Sequence, residues 1–240
     1  MRNIFIGLFF LFFTFNLIAE QREVIRVATA TDFPPFAFVK EGKLTGFDVD
    51  LLEIIGSKLN RSIKFIPMES NFVISSVISK ITDLAGGGVS ITQDRQKTVD
   101  FIVPYFDSGF VIVVRKDSEE LDINQLKNKK IGTYLSDITG PIARTLGLDK
   151  NMLYGRYDFL FDELITGAID AVLFDYPFAQ YMISHNYKES LKVTGPLYFQ
   201  HQYAFAVRKN YHLKKDIDKA IEEILSSPVY KSIYIKWFGD

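Results

Sequence analysis

Ser90 and Arg95 close the run Gly88, Val89, Ser90, Ile91, Thr92, Gln93, Asp94, Arg95, and together they have the chemistry to hold a carboxylate. Serine offers a hydroxyl and a backbone N–H, while arginine offers a planar fork that can make parallel hydrogen bonds to both carboxylate oxygens. The same residues also allow a plainer reading, in which Thr92 or Asp94 caps a helix and Arg95 is a surface charge. Asp175 follows the apolar run Ala171 to Phe174. A strand's carboxyl end in an open α/β sheet faces the ligand crevice, so a carboxylate there can pair with an ammonium group. Its plainer role is a helix cap ahead of Pro177. Between these poles, Thr139, Gly140 and Pro141 read as a strand-to-helix turn whose exposed N–H groups can accept an anion.

Other chemistry is weakly signalled. His185, His201 and His212 have no metal-ligand spacing, so surface or packing roles are expected and no metal or cofactor is implied. Gly86, Gly87 and Gly88 lack the dinucleotide and phosphate-loop patterns and read as permitting close backbone approach. No Gly-x-Ser-x-Gly elbow occurs. Asn60, Arg61 and Ser62 form a glycosylation triplet of a kind common by chance. Thiolate chemistry, disulfides and lipid attachment through an N-terminal cysteine are excluded, because the chain has no cysteine.

These side chains need a scaffold. Val24 to Ala28 and Ile63 to Ile66 read as buried strands with a helix between them. In that helix Asp48 can cap the start, Asp50 and Glu53 favour the positive end, and Val49, Leu52, Ile55 and Leu59 make one apolar stripe. Val73, Ile74, Val77, Ile78 and Ile81 recur as a second helical face leading into Asp83 and the glycines. Strands are expected at Phe110 to Val114, Lys130 to Thr133, Ala171 to Phe174 and Tyr203 to Val207. Helices are expected around Phe161, Leu164, Ile165 and Ala168, along Leu213, Ile217, Ala220, Ile221, Ile224 and Leu225, and from Pro228. The alternation predicts an α/β architecture with mostly parallel sheets flanked by helices.

At 240 residues and 48% hydrophobic content, the chain can bury substantial cores. A formal net charge of -1 and scattered Lys and Arg exclude the basic stripe that nucleic acid requires. Arg2 and the apolar run Ile4 to Ile18 read as a secretory signal peptide over residues 1–19, cut after Ala19, with an uncleaved tether as the alternative.

The run from Gly46 to Leu59, preceded by Phe33, Pro34, Pro35, Phe36 and Gly42, closely resembles the signature of the family 3 extracellular solute-binding proteins. The resemblance continues to Trp237, Phe238 and Gly239. It implies a two-lobed type II periplasmic-binding-protein fold, with lobe 1 at 24–104 and 204–240, lobe 2 at 110–198, and hinges at Tyr105 to Gly109 and Phe199 to Tyr203. It further implies that Gly88, Ser90 and Arg95 receive an amino acid's α-carboxylate, that Thr139 helps clamp it, that Asp175 holds the α-amino group, and that Phe33 stacks over the side chain. The chain departs from the pattern at Ala30, where members often have Asp, and at Ser70, where they often have an aromatic, so a basic ligand is not the obvious one. Ser136, Asp137, Ile138 and Thr139 make a loop one residue longer than usual, and Asp137 adds a negative charge there.

The implied function is periplasmic capture of a polar amino acid or related zwitterion by a monomer, for delivery to the permease of an ABC importer. The alternatives are a prephenate- or arogenate-dehydrating enzyme on the same fold, using an acid such as Glu69, Asp137 or Asp175, or a membrane-tethered sensor.

Overall fold

The computed structural model describes residues 23–136, 138–148 and 153–239, so the expected signal segment and Asp137 lie outside the described residues. The chain begins with β1 (Val24–Thr29), followed by the short strands β2 (Asp32–Phe33), β3 (Ala37–Lys40) and β4 (Lys43–Thr45), which form an antiparallel meander. Then come α1 (Phe47–Lys58), β5 (Ser62–Pro67), α2 (Val73–Ile78), β6 (Leu84–Gly86), α3 (Gln93–Thr98) and β7 (Val99–Phe101). The middle of the chain holds β8 (Phe106–Arg115), β9 (Ile131–Tyr134), α4 (Thr139–Thr145), β10 (Leu153–Tyr154), α5 (Tyr157–Thr166), β11 (Ala171–Asp175), α6 (Tyr176–Met182) and β12 (Leu191–Tyr203). It closes with β13 (Ala206–Arg208), α7 (Lys214–Leu225) and α8 (Pro228–Phe238).

Two five-stranded sheets result, ordered β5-β1-β6-β13-β7 and β10-β9-β11-β8-β12. Each is mixed. β1 pairs in parallel with β5 and β6, and β9 with β10 and β11, where helices carry the chain across. β13 and β8 instead pair antiparallel with both neighbours, because the chain enters those positions from the other sheet. The α/β architecture agrees with the sequence reading, although the antiparallel half of each sheet is more than alternation alone suggests.

The expected strand Tyr203 to Val207 is divided. β12 runs thirteen residues in one sheet and ends at Tyr203; β13 begins at Ala206 in the other. The chain therefore crosses between sheets here and again between β7 and β8. The two crossings run side by side, with Tyr203 opposite Phe106, Gln202 opposite Asp107 and His201 opposite Ser108.

Burial explains the helices. Along α7, Ile217, Ala220, Ile221 and Ile224 are buried, as their spacing predicts. On α1 the buried face is Phe47, Leu51, Leu52 and Ile55, so Leu51 belongs to the core while Val49 and Leu59 sit at its edge. Helix α2 stops at Ile78, and Ser79 and the positive-φ Lys80 turn the chain away, leaving Ile78 and Ile81 exposed rather than on the buried face. Asp48 does not cap α1. The N-cap position is Gly46, at φ 139, where a Cβ would fall 2.0 Å from the Phe36 carbonyl oxygen. Asp48 is the second residue of the helix, within its first turn, and is fully buried. Asp50 binds Lys236 Nζ at 2.6 Å and Trp237 Nε1 at 2.7 Å, which fastens α1 to α8.

Candidate functional site

The end of β6 supplies one wall. Gly87 and Gly88 follow at φ 97 and 71, a left-handed conformation that glycine adopts without steric cost. At Gly88 the Phe33 ring lies so close that a Cβ would meet its Cε1 at 2.6 Å, so glycine is needed for space as well as for φ. Ser90 is buried and bridges Tyr203 in antiparallel fashion. Thr92 then caps α3, its hydroxyl accepting the Arg95 N–H at 3.1 Å. That cap places Arg95 in the first turn, where Nη1 donates to the Ser90 carbonyl at 2.8 Å. The capping and ligand readings of this segment are thus compatible: Thr92 caps, and the cap orients Arg95. Asp94 pairs outward with Lys97.

The facing wall is the end of β11. Asp175 is buried and occupies the N-cap position of α6, yet its side chain caps nothing. Its Oδ2 accepts the Ser108 hydroxyl at 3.1 Å and the Tyr203 hydroxyl, and His201 Nε2 lies 3.4 Å away. Its Oδ1 is buried and has no hydrogen-bond partner among the described residues. A buried carboxylate oxygen left without a donor is costly, so this atom marks where a positive group is favoured. His201 Nδ1 lies 3.0 Å from the Phe199 carbonyl and must carry the hydrogen in that bond.

Aromatic rings line the space between. Phe33 stacks on Phe178 at 5.2 Å, and Tyr157 packs on Phe178 at 4.6 Å and on Tyr134 at 4.5 Å. Burial holds the Tyr157 hydroxyl well above the usual phenol range, and burial, followed by Asp175, does the same for Tyr203. Thr139 borders the cavity with its hydroxyl engaged in its own turn, donating to the Tyr134 carbonyl and accepting the Ser136 N–H at 3.0 Å.

One cavity is lined by Phe33, Ser70, Gly88, Ser90, Arg95, Thr139 and Asp175. The structure therefore brings together every site residue expected from sequence, with Ala30 and Asn71 beside Ser70. Sequence reasoning missed Tyr203, His201, Tyr134 and Tyr157, which share the lining. His201 packs on Phe110 and Tyr203, each at 5.4 Å, and is also a neighbour of Asp175, whereas His185 and His212 are exposed. Asp48 was misread as a cap; the only signal for its role is that it falls at the start of the run Gly46 to Leu59.

Two mixed sheets joined by paired crossings, with a polar and aromatic cavity between them, define a type II periplasmic-binding-protein fold. The chain belongs to the bacterial extracellular solute-binding proteins, family 3, whose profile matches residues 25–240. It is 29% identical to the putative ABC transporter arginine-binding protein 2 of Escherichia coli (strain K12), over 93% of this chain and 94% of that one. Among solved structures it is similar to an ancestral arginine-binding protein bound to glutamine, at TM-score 0.80 and 36% identity, covering 91% of this chain and 99% of the other. It is also similar to the ancestral amino acid-binding protein AncCDT-1, a precursor of cyclohexadienyl dehydratase, at TM-score 0.79 and 25% identity, covering 90% and 95%. Capture of an amino-acid-like solute for an ABC importer, as read from the sequence, agrees with this family.

Proposed function

We propose that the cavity takes an α-amino acid or a related zwitterion, with its carboxylate on Ser90 and Arg95, its ammonium on Asp175, and its side chain among Phe33, Tyr134 and Tyr157. The observation that carries this reading is the unpartnered, buried Oδ1 of Asp175 lining the same cavity as Arg95. A dipolar ligand supplies the donor that Asp175 Oδ1 lacks and carries a carboxylate that a guanidinium can receive, in a single molecule.

Residues 24–104 and 204–240 form one lobe and 110–198 the other, with the crossings as hinges. Ser90 and Arg95 belong to the first lobe and Asp175 to the second, so only the closed form makes all the contacts, and their sum shifts the population toward closure. The closed form then presents the solute to the permease of an ABC importer. The protein works as a monomer in the periplasm after removal of residues 1–19, which N-terminal sequencing of the secreted form checks.

A thermal-shift screen of the purified protein against the twenty common L-amino acids tests the assignment. A ligand that binds only the native state raises its melting temperature. A positive shift with at least one amino acid, lost when its α-carboxyl or α-amino group is blocked, is expected; no shift with any of them overturns the reading. The likeness to a dehydratase precursor carries the rival enzymatic reading, and incubation with prephenate and arogenate is expected to leave both unchanged.

A further inference from the structure

Among the described residues, Asp48 is the other buried carboxylate with an unpartnered oxygen, and the ligand reading makes no use of it. Its Oδ2 accepts the Gly87 N–H at 2.6 Å, the Gly88 N–H at 2.9 Å and the Tyr105 hydroxyl at 2.7 Å. Gly87 and Gly88 are the cavity wall beneath Phe33. Tyr105 opens the first crossing: its N–H donates to the Tyr203 carbonyl at 3.0 Å, and its own carbonyl accepts the Tyr230 hydroxyl at 2.6 Å. A single oxygen atom thus joins the glycine wall of the cavity to the segment on which the chain passes between sheets.

Convergent donors of this kind call for a charged acceptor, because hydrogen bonds to an ionised group are shorter and roughly twice as strong as neutral ones. Without an acceptor oxygen at that point, consecutive N–H groups in left-handed backbone would be buried with nothing to receive them.

We propose that Asp48 is a positioning residue for ligand capture: it holds the Gly87–Gly88 wall and the Tyr105 crossing in the geometry from which Ser90 and Arg95 reach a ligand carboxylate. This rests on the amino-acid reading of the cavity. The titratable groups facing Asp48 are Tyr105, Tyr203 and Tyr230, all held above the usual phenol range chiefly by burial, so they stay neutral through the physiological range. Asp48 is the member that changes charge there. Burial pushes its carboxyl up to about 6, against the hydrogen bonds from Tyr105, Gly88 and Gly87.

The test uses the mature chain as wild type, Asp48→Asn and Tyr105→Phe. The Gly87 and Gly88 amide resonances are followed by NMR without ligand from about pH 5 to 8, and dissociation constants for the twenty common L-amino acids are measured by calorimetry over the same range. In wild type both amides should shift with a midpoint near 6, and in Asp48→Asn they should not. For whichever amino acids wild type binds, Kd should rise by about tenfold as pH falls through that midpoint, the size expected from weakening one charge-assisted hydrogen bond. Asp48→Asn should bind them about tenfold more weakly at neutral pH and lack that limb of the profile, while Tyr105→Phe keeps the amide titration and loses part of the affinity. A folded Asp48→Asn with wild-type Kd and wild-type Gly87 and Gly88 amide positions at neutral pH overturns the proposal. If wild type binds none of the amino acids, the reading of the cavity is what has failed, and the Gly87 and Gly88 amide positions in Asp48→Asn against wild type decide whether Asp48 holds the wall.

Discussion

The hydroxyl of Tyr203 donates to Asp175 Oδ2, while the backbone of Tyr203 bridges Ser90. One residue of the crossing strand therefore touches both ends of the charge axis in the cavity.

Removing only that hydroxyl leaves Asp175 Oδ2 with the Ser108 hydroxyl and keeps the bridge to Ser90, which is made by backbone. Tyr203→Phe should therefore weaken amino-acid binding by about 1.5 kcal/mol, the range measured for a hydrogen bond to a charged group. Calorimetry on the folded variant checks this; an unchanged Kd would show that the hydroxyl serves packing alone.

Asp48 also sets a pH dependence of stability. Its carboxyl is raised from 3.8 to about 6 by burial. A carboxyl raised in the folded state favours folding when protonated, so its contribution is complete below about pH 4 and is lost as pH rises through about 6. That shift corresponds to about 3 kcal/mol. Asp48→Asn removes the titration and leaves the other groups in place. Denaturant unfolding at about pH 4.5 and 7.5 should show wild type losing about 2 kcal/mol more than the variant between the two, and parallel losses would refute it.

Much of the site was legible because its residues end regular elements. Ala171 to Phe174 is an apolar run buried on both faces, so Asp175 had to emerge at a strand end. Ser90 and Arg95 follow a glycine stretch and a capping threonine, which are local signals. His201 was not legible, since its meaning depends on the pairing of β12 with β8. That pairing shifts register between Thr194 and Tyr198 and again between Tyr198 and His201, which removes the alternation that marks a strand. Asp48 was misread because Asp at a helix start is ordinarily a cap. Here the close approach of Gly46 to Phe36 moves the cap position and turns the carboxylate toward the glycines, a tertiary fact that no local pattern carries.

Arg95 distinguishes charge from shape. Its Nη1 is spent on the Ser90 carbonyl, which fixes the plane of the guanidinium that the ligand would meet. Arg95→Ala should cost at least about 2 kcal/mol in binding, and Arg95→Lys should recover only part of that, because an ammonium cannot satisfy the carbonyl and a two-point carboxylate contact together. Full recovery by lysine, read by calorimetry, would mean that a point charge is all the site needs.

Gly88 tests whether the cavity depends on the close seating of Phe33. A methyl group there meets Phe33 Cε1 at 2.6 Å and sits on backbone at φ 71, so either the ring or the glycine wall must move. The φ alone costs an L-residue about 1 kcal/mol, and displacing a ring that stacks on both Phe36 and Phe178 costs more. Gly88→Ala should lower unfolding stability by about 2 kcal/mol and weaken amino-acid binding beyond what Arg95→Lys does, because it disturbs the aromatic seat and the Asp48-bound amide at once. Gly87→Ala meets softer contacts, 3.1 Å to the Ala30 nitrogen and 3.3 Å to the Thr29 hydroxyl, so it carries a similar φ cost without displacing Phe33. Binding lost in Gly88→Ala and largely kept in Gly87→Ala assigns the effect to the ring; equal losses would place it in the backbone of the wall.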